Sequence, residues 1–255
     1  MDTGERVLVI GLGEVGKPLL ELLRQHHDVA GIDIGTPAPE DGKPVSVMHV
    51  CFPFEIDDFV GESAAYIERF TPRLTIIDST IGVGTTRAVH DRTGARVVHS
   101  PIRGKHAQMG RELLRYTKYV GALDPFSARE AAAHFESAGM STKILASPEA
   151  TELAKLTETT YFGLLIAWAQ EVARYCEQVG ADYDEVVSFY EEIDFFPPVK
   201  YFPGVIGGHC VMPNIDILSR LDESDLLQAI RASNARRFEQ EVEHLAPGRA
   251  EARAR

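Results

Sequence analysis

The chain has 255 residues, of which 44% are apolar and 25% charged, and it carries a formal net charge of −12. These proportions exclude a disordered or fibrous chain. The negative balance argues against a general nucleic-acid or anionic-membrane surface, since both are met with positive charge. No apolar run reaches the roughly 18 residues that span a bilayer, and the first hydrophobic stretch is too short for a secretory signal, so a cytoplasmic protein without a membrane partner is expected. Cys51, Cys176 and Cys210 show no paired spacing, which fits reduced thiols and offers no Cys-x-x-Cys metal site.

Taken in order, the pattern predicts strands over 7–10, 28–34, 46–51, 74–78, 96–99, 117–122 and 142–145. Helices are predicted from 17 to about 24 and over 62–70, 85–91 and 127–137. Alternation of this kind means a parallel sheet wound with helices. The pattern then changes. Ser147-Pro148-Glu149 reads as an N-cap, a proline in the first turn and an acid at the dipole's positive end, and Gly180 as a C-cap. The helix between them has about 32 residues and a length of roughly 48 Å, long enough to link domains or subunits. Leu153, Leu156, Phe162, Leu165, Trp168 and Val172 recur along it at helical spacing, which assigns them to core or partner packing and predicts a homodimer. Further helices are predicted over 182–190 and 221–243, with loops over 195–203 and 207–213 and a frayed end at 249–255. The expected division is a domain over 1–146 and a second, all-helical one over 147–255.

The chemistry begins at Gly11-Leu12-Gly13-Glu14-Val15-Gly16, which follows a strand and opens a helix. Gly11 permits the tight turn, Gly13 lets backbone approach a pyrophosphate, and Gly16 allows helix to pack on strand. Asp33 at the next strand end is placed to accept hydrogen bonds from adenosine ribose hydroxyls. Its charge, with no arginine after it, selects NAD over NADP. Cys51-Phe52-Pro53 and Asp78-Ser79-Thr80 fall at later strand ends, on the carboxyl edge where ligands bind in such sheets. Cys51, Pro53, Ser79 and Thr80 are therefore cofactor candidates, and Thr80 also a candidate for contact with the reacting groups. Arg103-Gly104-Lys105-His106 adds cations just beyond a strand end, where Arg103 and His106 could hold a phosphate or carboxylate of a small-molecule substrate.

These motifs, with Gly84-Thr85-Thr86, Ser100-Pro101, Glu152-Leu153-Ala154-Lys155 and Gly207-Gly208-His209-Cys210, fall in the order that resembles the UDP-glucose/GDP-mannose dehydrogenase family over residues 6 to about 220. The resemblance implies an N-terminal Rossmann domain, a helical region built on a dimer-forming helix, and NAD-dependent oxidation of an alcohol on a sugar-, nucleotide-sugar- or nucleoside-like substrate, as in UDP-glucose dehydrogenation. The family also has a second nucleotide-binding domain; about 35 residues follow position 220, too few for one. Cys210 matches the cysteine that attacks an aldehyde and forms a thiohemiacetal and then a thioester on the way to an acid. Lys155 matches the lysine that stabilises an alkoxide or accepts a proton, and Gly208 and His209 flank the substrate.

Three positions depart from that pattern. Thr159 replaces an asparagine, Asn214 an aspartate and Ile102 a glutamate, and the loss of ionisable groups bears most on thioester hydrolysis. Two alternatives therefore stay open: an NAD enzyme with transient oxidation and no net redox change (an epimerase, lyase or decarboxylase), and an NAD-binding protein without turnover.

Overall fold

The computed structural model describes residues 5–36, 42–104, 108–190, 192–194, 201–208, 210–221 and 224–245. Five strands, β1 (Arg6–Ile10), β2 (Val29–Ile32), β3 (Val45–Val50), β4 (Leu74–Ile77) and β5 (Val97–His99), run parallel. They read as nearly unbroken Val, Ile and Leu because a parallel sheet is covered on both faces. With β6 (Lys118–Ala122) and β7 (Thr142–Ile144) they form one sheet in the order β2-β1-β3-β4-β5-β6-β7.

Side chains alternate across the sheet. Val7, Val9, Val47 and Ile76 pack with Leu19 and Leu23 of α1 (Gly16–Leu23), Met109 and Leu113 of α4 (Met109–Arg115) and Phe135 of α5 (Pro125–Ser137). Leu8, Ile10, Met48 and Ile77 pack on the other face with Phe59 and Ile67 of α2 (Phe59–Phe70) and Val89 of α3 (Thr85–Thr93). The winding is therefore double, as the alternating pattern predicts.

One strand departs from the expected direction. β6 runs antiparallel to β5, with Val98 opposite Ala122, and β7 is parallel to β6. The helix between β5 and β6 is α4, about 10 Å long, and the chain re-enters the sheet at the edge where it left. That reversal puts Lys118 beside the carboxyl ends of β4 and β5.

The chain divides into two compact units, Met1–Lys155 and Leu156–Arg255. The helix α6 (Pro148–Val179) has 32 residues, with Ser147 Oγ accepting from the Ala150 amide at 3.3 Å and Gly180 following at φ +73°. Along it Leu156 and Val172 are buried and Leu165 half-buried, whereas Leu153, Phe162 and Trp168 are 40–50% exposed. The second unit also contains α7 (Tyr183–Ser188), α8 (Val211–Ser219) and α9 (Asp225–Leu245). Its core joins Ala167 of α6 to Val211 and Ile215 of α8 and Leu227 and Ile230 of α9.

A Cβ on Gly163 would stand 2.6 Å from Val211, so α6 and α8 approach closely only because that residue is glycine. The segment entering α8 is pinned by polar side chains. Asn234 accepts from the Ile206 amide at 2.7 Å and donates to its carbonyl at 3.2 Å, and Gln170 donates to the Gly204 carbonyl at 2.7 Å. Among the described residues no helix is long and apolar enough to cross a membrane, and no group of three or more His, Cys, Asp or Glu could hold a metal ion.

Candidate active site

The fingerprint turn is built by glycine geometry. Gly11 has φ +89°, and a Cβ there would lie 2.8 Å from the Phe52 amide nitrogen. A Cβ on Gly16 would stand 1.8 Å from the Gly11 carbonyl oxygen, so the first turn of α1 closes onto β1 only with glycine at both positions. Gly13 differs: no described atom lies within 4 Å of where its Cβ would be. The turn is thus packed below Gly11 and Gly16 and open above Gly13. Glu14 is exposed, Val15 packs on the core, and α1 has no side-chain cap or acid in its first turn among the described residues. Open space at the positive end of a helix suits an anionic group such as a pyrophosphate.

Asp33 stands at the end of β2, where Oδ2 accepts from the Leu12 amide at 3.1 Å and Oδ1 from the Ile34 amide at 2.8 Å. The carboxylate is locked to the fingerprint turn, and each oxygen retains a lone pair for a ligand hydroxyl. Gly31 carries a role the sequence reading missed. A Cβ there would meet Leu20 at 2.5 Å and Leu12 at 2.8 Å, so a glycine inside β2 lets α1 and the turn settle on the sheet.

The later strand ends converge on the same edge. The Cys51 amide donates to the Ile10 carbonyl at 2.8 Å, and Ser79 Oγ donates to the Phe52 carbonyl at 2.6 Å, tying the Cys51–Pro53 loop to β1 and β4. Burial, with Asp78 nearby, pushes the Cys51 thiol well above its ordinary range, so this cysteine is an inert wall of the turn. Pro53 is exposed and Thr80 half-buried.

Beneath these loops lies a buried ionic network absent from the sequence reading. Lys118 Nζ donates to Asp78 Oδ1 at 2.8 Å and to the Ser100 carbonyl, while His49 Nδ1 is 2.7 Å from Asp78 Oδ2. The lysine and histidine hold the Asp78 carboxyl below the usual range against the opposing effect of burial. On its far side His49 Nε2 meets His134 Nε2 at 2.9 Å. His99 bridges the Ser79 carbonyl (3.1 Å) and Thr151 Oγ1 (2.8 Å), and burial drives its pKa to about 3. It is therefore neutral, with Nε2–H donating to the Ser79 carbonyl and Nδ1 facing the Thr151 hydroxyl, which also lies 2.8 Å from the Pro148 carbonyl.

Arg103 is half-buried against aromatic rings. Its guanidinium lies 5.5 Å from the Tyr116 ring centroid and 5.4 Å from that of Tyr119, a cation–π arrangement. Lys105 and His106 lie outside the described residues. On α6, Lys155 is half-buried and follows the fully buried Glu152 by three residues.

In the second unit Gly208 adopts φ +82°, which explains a glycine there, and His209 lies outside the described residues. Cys210 was expected in a loop and instead forms the N-cap of α8. Pro213 does not prevent that helix, because a proline in the first turn removes an amide that has no intrahelical acceptor. Asn214, one turn on, is buried and donates from Nδ2 to Thr159 Oγ1 at 2.9 Å, while Thr159 donates to the Leu156 carbonyl at 3.1 Å. The two departures from the family pattern thus meet as one neutral hydrogen-bonded pair. With its hydroxyl proton already directed to a carbonyl, Thr159 acts as the acceptor for the amide, and neither residue is ionisable.

A doubly wound sheet with a glycine turn and an acid at the end of β2 is the arrangement of the dinucleotide-binding class of α/β proteins. Residues 149–237 match the UDP-glucose/GDP-mannose dehydrogenase family, central domain. It is 27% identical over 282 residues to a UDP-N-acetyl-D-mannosamine dehydrogenase of Methanocaldococcus jannaschii, an alignment covering 91% of this chain and 65% of the relative. An NDP-N-acetyl-D-galactosaminuronic acid dehydrogenase of Ralstonia nicotianae is 22% identical, with 80% of this chain and 62% of that protein covered. The chain thus spans about two thirds of the length of these relatives. Among solved structures, that of a UDP-D-ManNAc dehydrogenase from Pyrococcus horikoshii superposes with a TM-score of 0.82 at 22% identity, covering 93% of this chain and 70% of that one. A 3-hydroxyisobutyrate dehydrogenase of Mycobacterium tuberculosis shares the fold with a TM-score of 0.71 at 16% identity over 94% of both chains.

Proposed function

We propose that the protein is an NAD-dependent oxidoreductase acting on a hydroxyl of a sugar nucleotide, with a UDP-N-acetylhexosamine as the first substrate to test. The observation that carries this reading is the cradle open above Gly13, with Asp33 locked beside it. In this reading the Leu12–Gly16 backbone and the α1 N-terminus hold the pyrophosphate, and Asp33 accepts from the ribose hydroxyls and disfavours a 2′-phosphate. The 51–53 loop and Ser79-Thr80 line the nicotinamide end. Bound NAD supplies the hydride acceptor.

The remaining tasks fall to side chains. Lys155 holds the substrate hydroxyl and receives its proton as an amine, or steadies the alkoxide as an ammonium. Cys210 adds through sulfur to the aldehyde carbon, its thiol proton passing to the carbonyl oxygen, to give a thiohemiacetal. Hydrolysis of a subsequent thioester needs an activated water, and the neutral Thr159–Asn214 pair cannot take a proton from it. Hydrolysis, after both hydrides have left, is accordingly the slow stage. A homodimer belongs to the same reading, supported by the exposed Phe162, Trp168, Tyr175 and Val179 along α6; sedimentation checks it.

The test is to incubate the protein with NAD and UDP-N-acetyl-D-mannosamine, following NADH by absorbance and products by mass. The expected outcome is a rapid burst of two equivalents of NADH per active site followed by slow turnover limited by hydrolysis, with Cys210→Ala abolishing the second equivalent while sparing the first. Full acid formation by Cys210→Ala would overturn the covalent role. Product without accumulated NADH would point to transient oxidation instead. Tight NAD binding without turnover across nucleotide sugars, nucleosides and sugar acids would point to a binding protein.

A further inference from the structure

Glu152 is fully buried, yet it is ionisable and has no place in the scheme above. Its carboxylate leaves the first turns of α6 and crosses to the N-terminus of α3. There Oε2 accepts from the Gly84 amide at 2.7 Å, and Oε1 from the Thr86 amide at 2.9 Å and the Thr86 hydroxyl at 2.6 Å. The N-cap of α3 is Gly84, at φ +91°, which has no side chain to satisfy the first amides of the helix. Glu152 does so from another helix, and its charge sits at the positive end of the α3 dipole.

The preceding residue grips the other end of the same loop. Thr151 hydrogen-bonds His99, which donates to the Ser79 carbonyl. Two consecutive α6 residues thus clamp the 79–86 stretch at both ends, with Thr80 between them. Lys155 lies three residues beyond Glu152, on the next turn of α6.

We propose that Glu152 is a positioning residue for the oxidation: by holding the N-terminus of α3 it fixes the Thr80 loop relative to the turn of α6 that carries Lys155. This rests on the roles given above to Thr80 and Lys155. The carboxylate form does the work, because two of the three partners are backbone amides that can only donate and the Thr86 hydroxyl also donates to it. A protonated carboxyl would turn its own O–H toward one of them, and an amide would turn its NH2 the same way. Burial raises the Glu152 carboxyl pKa, with Glu149 adding to the effect and the bonds from Thr86 and Gly84 opposing it. Of the neighbouring charges, Arg87 of α3 is paired with Glu149 at 2.8 Å, His99 of β5 is neutral, and Lys155 shares the helix.

Glu152→Gln, Thr86→Val, Lys155→Met and the double variant Glu152→Gln/Lys155→Met test this with NAD and UDP-N-acetyl-D-mannosamine. Losing one hydrogen bond to a charged group is expected to lower kcat about tenfold in Glu152→Gln, with the Kd for NAD changed less than about threefold. The acid limb of the wild-type kcat profile is expected to vanish in that variant, which a merely structural role would not produce. The double variant is expected to be no slower than Lys155→Met, because the two residues act through one arrangement. Independently of turnover, NAD is expected to slow hydrogen exchange of the 80–86 amides in the wild type and not in Glu152→Gln.

If Glu152→Gln does not fold, Thr86→Val removes a single bond and is expected to shift kcat and exchange in the same direction. A slow Lys155→Met beside a Glu152→Gln with wild-type kcat and acid limb would overturn the role of Glu152 alone. Wild-type turnover by Lys155→Met would overturn the functional reading on which it rests.

Discussion

At the scale of single residues, the most consequential group in the first unit is one the sequence did not mark. Lys118 is 3% exposed and looks like an ordinary strand lysine in a linear reading. Only the reversal of β6 brings it to Asp78, where its charge offsets the burial that pushes the carboxyl pKa up. Removing one partner of a buried ion pair leaves the other uncompensated, so Lys118→Met is expected to lower unfolding stability by about 3–5 kcal/mol in urea titrations. Asp78→Asn/Lys118→Met is expected to cost less than the sum of the single changes by at least about 1 kcal/mol. Strict additivity would show that the two groups do not depend on each other. Asp33 was legible because it stands next to a recognisable turn, whereas Lys118 and Asp78 are 40 residues apart and share no local pattern.

At the scale of elements, the glycines divide by what surrounds them. Gly16→Ala would force a Cβ into the Gly11 carbonyl, a backbone atom with little freedom to move, and is expected to abolish NAD binding and destabilise the unit. Gly13→Ala meets no described protein atom. It is expected to leave the unfolding midpoint within about 1 kcal/mol of wild type and still weaken NAD binding at least about tenfold, one methyl now standing where a pyrophosphate approaches. Calorimetric titration separates the two variants, and unchanged NAD affinity in Gly13→Ala would count against the cradle. The helix α6 was legible from Ser147-Pro148-Glu149 to Gly180 because caps are local chemistry. The start of α8 was not. Pro213 and two glycines suggest a loop, and the packing of Val211 and Ile215 on α6 decides for helix.

At the scale of the whole molecule, acid is expected to act on the histidines. His99 titrates at about 3, and burial holds His134 and His27 below the ordinary value, whereas an unfolded histidine protonates near 6.5. Because these folded-state values are depressed, the unfolded chain binds protons first, so stability is intact above pH 6.5 and falls as the pH drops toward 3. His99 alone is expected to contribute about 2 kcal/mol of loss between pH 6.5 and pH 5. Glu152, with a raised value, acts in the opposite sense just above its ordinary pKa. Urea midpoints measured from pH 7.5 to 5 check the sum, and His99→Asn is expected to flatten the curve.

The amino-acid sequence by itself determined the order of the seven strands and of the helices other than α4 and α8, the fingerprint turn, the acid at the end of β2 and the length of α6. Each is set by interactions within a few residues or by hydrophobic period. Tertiary structure alone decided the direction of β6, the Asp78–Lys118–His49 network, the Glu152 clamp on α3 and the pairing of Thr159 with Asn214. These join groups between 29 and 68 positions apart. Burial and charge settle such pairings only once packing has brought the side chains out of water.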